Sequence, residues 1–252
     1  MNILLSEKKL LHQILVEDYW GPNKHDLIRV LVKHFYGEGL KRKSVKEEVE
    51  NVIIQKMDTY NPLVWDAILN KYLKRLEKAD HRLYSVDEII ITQDELASIR
   101  AIEHEEYEKV AFALLVHAKI QNSINPDNHN WMNSKTTDII RDSKLNLKAQ
   151  EKKLIFHVLM KRGLIESSKS MTNTNFKVLF IHNESEKGVV IKDFRNYVYE
   201  YIRAKGGTNI MECQQCELLI IKNKNIQKYC TDCARVIKRE KNRLWKQEKW
   251  VQ

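Results

Sequence analysis

The chain has 252 residues, with 43 lysines and arginines against 34 aspartates and glutamates, for a formal net charge of +9. No apolar run approaches the ~18 residues that a membrane-spanning helix needs, and the opening MNILLSEKKLLHQILVEDYW lacks the charge order and small-residue cleavage site of a secretory signal. The expected setting is therefore the cytoplasm, with no membrane partner.

Hydrophobic residues make up 43%, and only seven glycines and three prolines interrupt long amphipathic stretches, so helix should dominate. At ~150 residues per domain the length allows one large or two small domains. The basic balance points to an acidic partner, nucleic acid first. General solubility is the plain alternative.

Residues 1–90 read as a separate helical unit. HDLIRVLVKHFYGEG forms one helix ending at Gly37. SVKEEVENVIIQKM forms a second, with Ser44 and Glu47 as a capping box. NPLVWDAILNKYLKRLEK forms a third, begun by Asn61 and Pro62. GEGLKRKS lacks the spacing of a phosphate loop and reads as a basic turn between helices.

From Thr92 the sequence TQDE is a capping-box start. A helix follows to about Ala101, and a second begins near His104 and is apolar enough to be a core helix. INPDNHNWMN is a loop broken by Pro126, and SKTTDIIRDSKL a short helix capped by Ser134. LKAQEKKLIFHVLMKRG is a longer helix whose Leu147, Glu151, Leu154, Ile155, Val158 and Leu159 trace one face; Gly163 ends it. LIES and FKVLFI then give strand, loop, strand. This order is that of a winged helix-turn-helix. The helix starting near Leu147 would enter the major groove with Lys148, Gln150, Lys152 and Lys153 at its leading end. The wing tip would bring Lys169, Asn173 and Asn175 to the backbone or minor groove. Such a domain also serves as a protein-docking module. GVVIKDFRNYVYEYIRAKGG adds a strand and a helix over about 193–204 that docks on the domain through Val198, Tyr201 and Ile202; Gly206 and Gly207 form a linker.

All four cysteines lie in CQQCELLIIKNKNIQKYCTDC, as two C-x2-C pairs thirteen residues apart. In a reducing compartment this spacing suits a tetrahedral zinc ion rather than disulfides. Cys213, Cys216, Cys230 and Cys233 are the candidate ligands of one structural Zn²⁺, with ELLII and IQKYC as short strands between the pairs. Four protein ligands leave no open position for catalysis. The helix that follows carries Arg235, Lys238, Arg239 and Arg243 among its cations, with Trp245 and Trp250 interleaved. It can meet phosphates, or dock on the body through Val236, Leu244 and the tryptophans.

The histidines form no ligand spacing, and no catalytic constellation of Ser, His, Asp or paired carboxylates stands out, so an enzyme is not expected. The expected architecture is mainly α: a helical bundle over 1–90, a winged helix-turn-helix domain with an appended helix over 91–205, and a zinc ribbon or treble clef with a basic helix over 208–252.

The blocks IIITQDEL, KVAFALLVHAKIQN, KRGLIESS, IKDFRNYVYEYI and CQQC…YCTDCARVIKREK resemble a group of proteins from phages and mobile elements of Gram-positive bacteria. The resemblance runs from about residue 20 and is most specific at the zinc ending. It implies a phage or prophage setting and carries no activity with it. The N-terminal blocks FYGEGLKRKSVKEEV and NPLVWDAILNKYLKR are loosely similar to the small helical domains that accompany phage and plasmid primases, without the primase metal-binding carboxylates. Three functions follow as expectations: a DNA-binding protein in replication or transcription control of a mobile element, a factor that binds a host replication, transcription or defence protein, or an RNA-binding protein.

Overall fold

The structure is a computed structural model that describes residues 3–17, 23–56, 61–168, 175–223 and 225–250, with side chains to 247. It is mainly helical, with ten α-helices and seven short strands among the described residues. The chain divides into a unit from Ile3 to Asp87 and another from Glu88 to Gln252. No helix among the described residues is long and apolar enough to cross a membrane.

The first unit holds four helices, α1 (Glu7–Val16), α2 (Lys24–Gly37), α3 (Arg42–Lys56) and α4 (Pro62–Leu76). α2 touches the other three and supplies buried Leu27, Ile28, Leu31 and Val32 to a core shared with Ile14, Val49, Ile53, Trp65 and Leu69. Side chains of Ser6, Asn23 and Asn61 cap α1, α2 and α4. α1 adds a helix to the three expected. α3 begins at Arg42, so Ser44 lies within its first turn and does not cap it. Glu7, 1% exposed, takes Lys33 Nζ at 2.7 Å and Arg29 Nε at 3.3 Å, which ties α1 to α2.

The second unit is built around α6 (Glu105–Ile124), which is buried without interruption from Val110 to Ile120. A helix apolar all round belongs in a core. Before it, β1 (Ile89–Thr92) pairs antiparallel with β5 (Lys187–Ile191), and α5 (Gln93–Arg100) starts at the expected Thr92–Glu95 capping box. The β1–β5 register shifts between Ile91 and Thr92, where Gly188 faces the bulge. A Cβ on Gly188 would lie 2.7 Å from Leu96 Cδ1 and 3.1 Å from the Ile91 carbonyl oxygen.

Three polar side chains of α6 each bind a different neighbour. Glu108 accepts from Tyr201 Oη at 2.7 Å and pairs with Lys205, both at or just beyond α9 (Val198–Ala204). Burial first, then the Glu108 carboxylate, push the Tyr201 hydroxyl well up, so it stays a donor. Lys119 donates to Glu95 Oε2 at 2.8 Å and to the Ile90 carbonyl at 2.7 Å. Glu95, wholly buried, also accepts from the Thr92 and His182 backbone N–H groups at 2.8 and 2.9 Å. His117 lies with Nε2 3.0 Å from Asp142 Oδ2 and Nδ1 2.7 Å from Ser134 Oγ. Burial pushes Asp142 up, but hydrogen bonding and charge together, His117 first among them, hold the carboxyl below its usual value. Ser134, His117 and Asp142 have the order of a hydrolytic triad, yet His117 is fully enclosed and the chain ties α6 to α7 (Thr136–Asp142). Ser134 was expected to cap α7; its hydroxyl instead binds His117, and Lys135 holds the cap position without a side-chain bond.

After α6 comes a 3-10 turn (Pro126–Asn128), then β2 (Trp131–Met132), α7, α8 (Ala149–Lys161), β3 (Ile165–Ser167) and β4 (Phe176–Val178). β2, expected as loop, joins a three-stranded antiparallel sheet in the order β2-β4-β3. A relay of amides supports this corner. Asn122 Oδ1 accepts from Asn128 Nδ2 and Asn130 N, Asn133 Nδ2 donates to Asn128 Oδ1, and Asn175 Nδ2 donates to Asn133 Oδ1 at 2.8 Å. α8 ends at Gly163, φ 69°, whose N–H reaches Met160 O while Leu164 N reaches Leu159 O. The left-handed cap favours glycine. On α8 the buried residues are Ile155, Phe156 and Leu159; Leu154, expected on that face, is 53% exposed. α9 is shorter than expected and starts at Val198.

Two stability predictions follow from this packing. Glu95→Ala leaves the Lys119 ammonium buried without its counter-ion and should cost about 3–5 kcal/mol. Gly188→Ala should cost about 1–3 kcal/mol through overpacking against Leu96. Urea titration followed by circular dichroism reads both, with Glu95→Ala the larger; equal midpoints for Glu95→Ala and the parent chain contradict the first.

Candidate metal centre and basic helical faces

Beyond Gly207 the chain forms β6 (Ile210–Glu212), β7 (Leu219–Ile221) and α10 (Thr231–Trp250). A Cβ on Gly207 would come within 2.6 Å of Ile202 Cγ2, so a bare backbone is needed to leave α9. β7 pairs with β6, not with the IQKYC segment, which forms no strand. The hairpin turn between β6 and β7 therefore carries the first cysteine pair. Cys213 N donates to Leu218 O at 2.9 Å and Glu217 N to Cys213 O at 2.8 Å, with Glu217 in the left-handed region at φ 59°. Arg195 Nη2 and Asn196 Nδ2 donate to the carbonyls of Cys216 and Leu219 at 2.8 and 2.7 Å, fastening this hairpin to the segment before α9.

The second pair meets the first because residues 228–230 run back across the hairpin turn. Gln214 N donates to Lys228 O at 3.0 Å and Cys230 N to Cys213 Sγ at 3.2 Å. Cys230 precedes the first residue of α10, and its Sγ accepts from Cys233 N at 3.4 Å. A side-chain acceptor is thus offered to the third N–H of the helix, where serine or aspartate commonly sits.

The four Sγ atoms all lie within 4.8 Å of one another. A tetrahedral ion with metal–sulfur bonds of about 2.3 Å has sulfur–sulfur edges of about 3.8 Å, and Cys216 Sγ to Cys230 Sγ is 3.8 Å. Burial pushes the Cys213 thiol up, but N–H groups of Cys230, Gln215 and Cys216 outweigh it and bring it down to about 6. Cys233 is pushed up to about 12, first by Cys230 and then by Cys216. Four sulfurs this close cannot all ionise beside one another alone, and a bound dication removes that conflict. The donor set fits a single thiolate-bound metal, and the local core of Cys213, Ile220 and Cys230 is small.

The other expected site residues fall into two groups. Lys148, Gln150 and Lys153 are exposed at the start of α8, and Lys152 is half-buried. Lys148 N donates to Glu151 Oε2 at 2.6 Å, the reach-back half of a capping box. His157 and Lys161 lie on the same exposed face, as their i+7 and i+11 spacing from Gln150 requires. Asn175 turns its amide toward Asn133, and Lys169 and Asn173 lie outside the described residues.

On α10, Arg235, Lys238, Arg239 and Arg243 are all exposed. At ~100° per residue they share one side with Lys246, while Cys233, Val236, Ile237, Glu240 and Leu244 share the other. Arg235 pairs with Asp232 at 3.4 Å and Arg243 with Glu240 at 2.6 Å. Such exposed pairs are worth little and yield readily to another anion.

No protein-family model, curated protein or solved structure matches the chain. The structure defines a mainly helical protein with a C-terminal cluster of four cysteines close enough to hold one metal ion.

Metal analysis of the purified protein should find one zinc per chain, and Cys213→Ser should lose it. Chelation should open the chain beyond residue 207 to protease while the α6 core stays resistant, because so small a module has little apolar core of its own. Full zinc content in Cys213→Ser contradicts the assignment.

Proposed function

We propose that this is a DNA-binding protein of a phage or mobile element, acting in replication or transcription control. In this reading α6, β2, α7, α8 and the β3–β4 strands form a winged helix-turn-helix. The four cysteines hold one structural Zn²⁺ in a zinc ribbon or treble clef, and the modules 1–90, 91–205 and 208–252 divide the work. The observation that carries the reading is the pairing of two exposed basic helical faces, at the start of α8 and along α10. The helix order and the β2-β4-β3 sheet order support it.

Lys148, Gln150, Lys152 and Lys153 then meet base edges and nearby phosphates, and Arg235, Lys238, Arg239 and Arg243 meet phosphates. Lys169, Asn173 and Asn175 belong to the wing of the same proposal. A second reading, a factor that binds a host protein, is favoured by one feature: a groove of about 380 Å³ beside Cys233, lined by Val236, Ile237 and Leu244.

Salt dependence separates the two. Duplex affinity should fall steeply with salt as counterions are released. Replacing Arg239 and Arg243 with Ala should weaken all sequences alike and flatten the log–log salt slope by roughly one unit per lost contact. Gln150→Ala should leave that slope unchanged and alter sequence preference by about 1–3 kcal/mol at one position. A parent chain that binds no duplex at low salt, while a host protein co-purifies stoichiometrically, favours the second reading.

A further inference from the structure

The exposed side of α8 contains one large aliphatic side chain. Ile155, Phe156 and Leu159 turn into the core, whereas Leu154 is 53% exposed. A lone exposed leucine is ordinary. The surroundings of this one are informative. At ~100° per residue, Leu154 shares its face with Gln150, Glu151, His157 and Lys161, all exposed, with exposed Lys153 at its margin.

One leucine framed by an amide, two ammonium groups, an imidazole and the Glu151 carboxylate, which accepts from Lys148 N, is far short of the contiguous patch of a few hundred Å² that marks protein docking. The two lysines also disfavour a second copy of a chain with net charge +9. The same set matches the edges of a major groove. That surface offers hydrogen-bond acceptors and donors, phosphates at its rims, and one apolar feature, the thymine C5-methyl group.

We propose that Leu154 is a base-reading residue that packs its methyl groups on the C5-methyl of a thymine. The inference rests on the reading of α8 as the helix that enters duplex DNA, and it names part of the site that helix selects. Gln150 and Leu154 are four residues apart, a rise of about 6 Å. Base pairs stack at about 3.4 Å, so the thymine lies one or two base pairs from the base that Gln150 meets.

The test uses the full zinc-loaded chain. A preferred site is selected from a random duplex library, and each thymidine in it is then replaced by deoxyuridine, which removes only the methyl group. One such replacement should weaken the parent chain about fourfold, the size expected for one buried methyl. Leu154→Ala should bind the thymidine site about as weakly as the parent binds the deoxyuridine site, and should ignore the replacement. Leu154→Met should restore part of the methyl dependence. The salt slope should be the same for all three proteins, since no phosphate contact changes. Deoxyuridine replacement without effect at every thymidine overturns the role of Leu154 alone, as does an undiminished methyl dependence in Leu154→Ala. Absence of binding to any duplex overturns the DNA reading of α8 together with it.

Discussion

A helix with no solvent face must find internal partners for every polar group it carries, and the second unit is arranged around that requirement. α6 is enclosed from Val110 to Ile120 and still bears Glu108, His117 and Lys119. Each is answered by a different element: Tyr201 and Lys205 around α9, Asp142 of α7, and Glu95 of α5. The bonds that make these groups tolerable in the core also set where three neighbours can lie. Apolar contact alone is non-directional and would permit α6 to rotate among similar packings. Charge-assisted bonds at 2.7–3.0 Å do not. α8 packs on the same helix, so the aim of its exposed face derives from α6.

Elements with a long period could be read from the sequence. α2, α4, α6, α8 and α10 each repeat their apolar or charged positions over several turns, and the cysteine cluster was legible because thiols at that spacing have few other uses. α1, ten residues long, is announced only by Ser6 and the Leu10–Ile14 spacing. β2 has two residues and β6 three, too few for any alternation to register. The IQKYC segment carries strand-favouring Ile226 and Tyr229, but its backbone is drawn to the thiol cluster through Cys230 N and Lys228 O. His117, Ser134 and Asp142 meet across up to 25 residues, a separation no local pattern reports. Leu154 lies outside the buried face because its angle on the helix, not its residue type, sets its side.

The β2–β4 pair and the end of α6 share one network of amides. Asparagine tolerates the left-handed conformation found at Asn130, φ 68°, and offers donor and acceptor on one short side chain. The chain of bonds through Asn122, Asn128, Asn133 and Asn175 has a single direction, each amide nitrogen giving to the next carbonyl oxygen. An aspartate at any of these places would offer two acceptors where a donor is required, so the corner selects the amide rather than polarity in general.

α10 differs from the other helices in having almost nothing to lean on. Along residues 234–247 every residue but the half-buried Ile237 is exposed, and the helix is 20 residues long. An isolated helix of this size is limited by its nucleus: ordering the first turn fixes several dihedrals for one hydrogen bond, with an initiation constant of about 10⁻³. Here the first turn is the one that holds Cys230 and Cys233. An ion gripping both sulfurs and the hairpin pair would order that turn beforehand, and each later residue would add at the far cheaper elongation step. Metal occupancy would thereby set the persistence and rotational phase of a cationic rod roughly 30 Å long, making the cysteine cluster the initiation point of the helix as well as the brace of its own hairpin.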